Sequence, residues 1–199
     1  MPATSRSPVG RTAARTTRQV TRSLKAQVTT LGTTMGVFWV TFVVNTMLGG
    51  VLTPFGIIPR TTDGLRGVLF APFLHGNLQH LIANTIPFLA LGWMVMWRDA
   101  RHFVPVTLFA MLGAGLMAWT LGAPSSVHIG ASGVVFGYLG FLLLAGVYTR
   151  SFWSIVLSLV TAGLWGGLVL GIAPGQAGIS WQSHLGGFIG GVFAARRYR

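Results

Sequence analysis

Every Lys, Arg, Asp and Glu beyond residue 30 falls outside six apolar stretches, at about 31–52, 74–97, 103–122, 130–149, 151–173 and 181–195. A hydrocarbon core about 30 Å thick takes roughly 20 helical residues to cross, and five of the six stretches reach or approach that length. In lipid the backbone must satisfy its own hydrogen bonds, and without the alternation of barrel strands these stretches read as helices. The expectation is an all-α, polytopic membrane protein, a six-transmembrane-helix bundle. Charged residues make up 8% of the chain, against about a quarter in a soluble domain, so water cannot be the solvent on all sides.

Residues 1–30 carry six basic residues (Arg6, Arg11, Arg15, Arg18, Arg22, Lys25), many Ser and Thr, and no acid. They read as a disordered basic tail, with the membrane domain at 31–199. Cytoplasmic loops retain Lys and Arg, and placing the tail inside puts 12 of the 14 basic residues on the inner side. Arg60 and Arg66 alone lie outside. The chain is therefore expected to be a multi-pass integral membrane protein with both termini cytoplasmic, so that the second, fourth and sixth stretches start at the outer side. The net charge of +12 suggests no nucleic-acid partner, because the basic residues gather at chain ends and loops instead of on one water-exposed face. With no cysteine, thiol catalysis and disulfides are excluded.

A polar side chain in hydrocarbon needs a partner or a purpose. The second stretch opens with His75, Asn77, Gln79, His80 and Asn84; the fourth with Gly130-Ala131-Ser132-Gly133; the sixth with Gln182, Ser183 and His184 ahead of Gly187. All three clusters fall at the end that the charge distribution places together. Taken singly, Ser132 fits helix packing and His184 an interhelical hydrogen bond, and Gly133, Gly187 and Gly191 fit close approach of helix backbones. His80 and Asn84, four apart, share a helix face, whereas His75 projects about 140° away. Jointly they match a reaction. A serine hydroxyl needs a base to take its proton, and neutral histidine suits that task, so Ser132 and His184 form a candidate dyad. His80, Asn84 and the Ser132 amide are donors suited to a developing oxyanion. The only acids, Asp63 and Asp99, lie outside the apolar stretches, so no carboxylate completes a triad. Without any glutamate, a His-Glu-x-x-His zinc site is excluded, and no metal or organic cofactor is called for.

These residues resemble the rhomboid family of intramembrane serine proteases. The resemblance rests on Gly130-Ala131-Ser132-Gly133, on the spacing of His75, His80 and Asn84, and on His184 followed by Gly187 and Gly191, each in its expected stretch, and it covers the chain from about residue 31. It implies Ser132 as nucleophile, His184 as general base, His80 and Asn84 in the oxyanion hole, and His75 shaping the cavity. It further implies Phe136 stacked on His184 where many members carry tyrosine, and Gly130, Gly133, Gly187 and Gly191 in close helix packing. The family's Trp-Arg pair in the first loop is absent, Arg66-Gly67 standing near that place. The implied partners are transmembrane protein substrates within the lipid bilayer, and the plain six-span plan favours a bacterial plasma membrane. The competing classes are a non-catalytic rhomboid-like binder of membrane helices and a small proton or ion transporter; the transporter leaves the glycine-flanked serine unexplained. Oligomeric state and natural substrate have no signature in the sequence.

Overall fold

The structure, a computed structural model, describes residues 8–176 and 178–199, with side chains from residue 20 on. Six long helices carry the fold: α1 (Pro8–Met47), α2 (Leu78–Arg98), α3 (Phe103–Leu121), α4 (Ser132–Thr149), α5 (Phe152–Trp165) and α6 (Trp181–Arg197). All six apolar stretches are thus helical. Among the described residues, five helical segments are long and apolar enough to cross a membrane. With 17 residues, about 26 Å of rise, α6 falls short of that measure.

Local chemistry sets the ends. Pro8 opens α1 at the position where its missing N–H costs nothing, and Gly49 and Gly50, both at positive φ, turn the chain out at the far end. Asn77, Ser151 and Ser180 cap α2, α5 and α6, each side-chain oxygen accepting a backbone N–H of the first turn. Residues 1–7 of the expected tail lie outside the described residues. From Pro8 the basic segment is helix continuous with the first apolar stretch. No proline stands between Pro8 and Pro54, residues 8–30 include four Arg and three Ala, and lengthening an existing helix needs no new nucleus.

The most enclosed helix is α4, packed by α2, α3, α5 and α6. Tyr138, Leu139, Phe141 and Leu142 are fully buried, and the Tyr138 hydroxyl lies 2.7 Å from Thr107 Oγ1 of α3. Glycine makes the enclosure possible. A Cβ at Gly187 would fall on the carbonyl of Gly133, and one at Gly191 on that of Gly137. On the other side of α6, Gly186 meets the carbonyl of Gly113 in α3, and Gly190 meets that of Phe109. Thus α6 threads between α3 and α4 with backbone against backbone, as small residues allow in lipid. By contrast α5 lies at the periphery and continues as a 3-10 segment, Gly166–Ile172. Large apolar side chains such as Leu164, Leu170, Trp97 and Trp153 face outward, a surface suited to lipid.

The long connection from α1 to α2 folds onto the end of α3. Arg60 Nη1 donates to the carbonyls of Thr120 (3.0 Å) and Gly122 (2.9 Å), Trp119 Nε1 donates to Thr61 O, and Ile57 pairs with His128 through two backbone hydrogen bonds of 2.9 Å. Arg66 lies over the Phe55 ring at 4.5 Å. The loop is pinned although the Trp-Arg pair is absent.

Candidate active site

The N-terminal ends of α2, α4 and α6 meet around a cavity of about 720 Å³. His80 and Asn84 from α2, Ser132 from α4 and His184 from α6 all line it, together with Phe136 and Gly171. Their convergence follows from the parallel course of the three helices, which the charge distribution predicts.

Ser132 is the first residue of α4 and is half-buried. Its amide belongs to the helix's first turn, whose N–H groups have no carbonyl partner within the helix. Gly130 brings the chain to this point at φ +113°, and its N–H donates to Ala71 O at 2.8 Å. A Cβ here would stand 2.5 Å from His80 Nε2, and the backbone conformation is one that L side chains avoid. Gly130 is therefore a turn residue that admits the His80 ring, and only Gly133, Gly187 and Gly191 of the expected packing set lie between helices.

His184 is buried, 7% exposed, and its imidazole stacks on Phe136 with centroids 4.1 Å apart and planes 10° from parallel. Nδ1 lies 2.9 Å from the carbonyl oxygen of Gly171. A carbonyl can only accept, so Nδ1 carries the proton and Nε2 is left as the basic nitrogen. A peptide carbonyl thus fixes the tautomer and orientation of the ring. Among the described residues, no hydrogen bond joins the Ser132 and His184 side chains; such contacts are often long without substrate.

Asn84 is buried and donates through Nδ2 to His80 O at 2.8 Å, one turn back along α2. His75 does not line the cavity. It is 1% exposed, wedged between Phe38 (5.5 Å between centroids) and His80 (5.2 Å), and supports the His80 ring from behind. The projection of His75 away from His80 fails because α2 begins at Leu78, so helical spacing does not extend back to residue 75.

Sequence reasoning passed over three participants. Gly171 contributes only a backbone carbonyl and leaves no sequence signal. Ser180 and His128 work as a pair: His128 Nδ1 lies 2.6 Å from Ser180 Oγ and Nε2 lies 2.9 Å from Ser126 Oγ, tying the α3–α4 loop to the cap of α6 four residues before His184. The polar residues Ser126, His128 and Ser180 flanking two apolar stretches were the available hint. Burial holds the His128 imidazole below the ordinary histidine range. Once pH drops under the unfolded value of about 6.5, the unfolded chain binds the proton more readily than the folded one, and this part of the stability declines on acidification. Thermal unfolding followed from about pH 7.5 to about pH 5.5 should show a falling midpoint, with a shallower slope in His128→Gln. An identical slope in the variant would refute the assignment.

The family model of the Rhomboid domain matches residues 62–198. An uncharacterized protein of Mycobacterium tuberculosis is 45% identical over 161 residues, covering 77% of this chain and 67% of that protein. A putative rhomboid protein of Acanthamoeba polyphaga mimivirus is 30% identical over 160 residues, covering 77% of this chain and 86% of its own length. A rhomboid protease of Bacillus subtilis is 30% identical over 130 residues, covering 61% of this chain and 24% of that protein.

Proposed function

This chain belongs to the rhomboid family, and on that footing we propose that it is an intramembrane serine endopeptidase that cleaves transmembrane segments of other proteins with a Ser132–His184 dyad. The observation that carries the reading is the state of His184: clamped by Phe136 and donating Nδ1–H to Gly171, it offers Nε2 as a base at the cavity that Ser132 also lines. The six helices form one membrane bundle with both termini cytoplasmic, in a bacterial plasma membrane, and the cavity opens toward the outer side.

In the reaction, Ser132 Oγ attacks the scissile carbonyl carbon while His184 Nε2 takes the hydroxyl proton. The oxyanion meets the Ser132 amide, with His80 and Asn84 as side-chain donors. Collapse breaks the C–N bond and the same proton goes to the leaving amine, giving an acyl-enzyme. Water, deprotonated by His184, then attacks the ester carbonyl and returns the free serine. Residues 8–199 supply all of these groups, and no cofactor enters. A helical substrate hides its carbonyls, so segments with Gly or other helix-weakening residues near the outer end are preferred, where unwinding costs least.

A fluorophosphonate probe tests the reading directly. It should label the wild-type protein in a bilayer or mild detergent, and Ser132→Ala should take no label while keeping its far-UV circular dichroism. Equal labelling of the variant would defeat the assignment of the nucleophile.

A further inference from the structure

The second large hollow lies far from the cavity, at the opposite ends of α2 and α5. It is a groove of about 840 Å³ walled by Trp93, Met94, Trp97, Trp153 and Leu157, with Arg98 at its end. The Arg98 guanidinium lies over the Phe141 ring at 5.6 Å and donates hydrogen bonds only to hydroxyls, Ser154 Oγ at 2.8 Å and Thr149 Oγ1 at 3.3–3.4 Å, while its Nε has no hydrogen-bond partner. Asp99, the adjacent acid, is engaged bidentately by Arg101 at 2.8–3.2 Å. Arg98 therefore has no carboxylate in hydrogen-bonding contact and stands beside the N-terminus of α5, which Ser151 caps, with exposed Arg150 one residue earlier. Trp97 and Trp153 are 71% and 76% exposed at the groove's rim. Aromatic rings at such a position mark the membrane–water interface, and basic pockets between helices at that depth suit anionic headgroups.

We propose that this groove binds one anionic phospholipid, its phosphate on Arg98, Ser151 and Ser154 and an acyl chain along Trp93, Met94 and Leu157. Three features converge here: an apolar trough, a cation with no hydrogen-bonded carboxylate at one end of it, and the free N–H groups of a helix start that favour an anion. The site is independent of the protease assignment, being built from other residues at the other end of α2.

The test is retention of phosphatidylglycerol against phosphatidylcholine by the full chain, followed by native mass spectrometry. The wild type should favour phosphatidylglycerol by about tenfold. Arg98→Gln should erase the preference, and so should Ser154→Asp, which supplies a carboxylate to Arg98 without removing it. Arg196→Gln, at the end of α6, should leave it unchanged. Quenching of tryptophan by brominated phosphatidylglycerol should exceed that by brominated phosphatidylcholine, and the excess should vanish in the triple variant Trp93→Phe, Trp97→Phe, Trp153→Phe. Equal retention of the two lipids by wild type, or a preference intact in both charge variants, would overturn the proposal.

Discussion

Replacement of His184 by alanine is expected to lower kcat for cleavage of a transmembrane substrate by about 10⁴-fold or more, the scale on which a lone base of a hydrolase acts. The loss should fall on kcat and leave KM nearly unchanged, because the imidazole moves a proton and contributes little to holding a helix. Removing the ring opens a space beside Phe136 and frees the Gly171 carbonyl, so a modest loss of stability should accompany it. Thermal unfolding and single-turnover cleavage on the same preparation separate the two effects. Cleavage within tenfold of wild type in a folded His184→Ala protein would remove the dyad from consideration.

The largest stability effect should come from Gly187. A methyl group there meets the Gly133 carbonyl of α4, which is backbone and cannot swing aside. Gly187→Ala should cost about 2–3 kcal/mol, and Gly187→Val more, with failure to accumulate as the expected extreme. Activity should fall with it, since the contact that fixes α6 against α4 lies three residues from His184 and one from Ser132. Gly163, in α5, supplies the control: nothing stands within 4 Å of a Cβ there, so Gly163→Ala should be neutral or stabilise by up to about 1 kcal/mol. Denaturation in detergent compares the three variants, and a Gly187→Ala protein as stable as Gly163→Ala would contradict the backbone contact.

Helix positions and the identity of the polar clusters were legible because lipid imposes a simple rule: charge-free runs of the right length must be helices, and polar residues within them need reasons. The α4–α6 seam was readable at Gly187 and Gly191 for the same reason. Gly130 misled, since flanking a serine with glycine looks alike whether the glycine lies in a helix or in a turn at positive φ. His75 misled because spacing arguments hold only inside a helix, and α2 begins three residues later.

The sequence by itself determined the solvent, the helices, the family resemblance and the short list of residues with chemical capacity, since each depends on side-chain type and on spacing along one chain. Only the tertiary structure decided that Gly171, a residue with no side chain, orients the histidine, and that His75 stands behind His80 instead of at the cavity wall. It alone also left Arg98 without a hydrogen-bonded carboxylate beside an open groove. Those outcomes depend on carbonyl directions and on distances between helices far apart in sequence, which no local pattern of residues encodes.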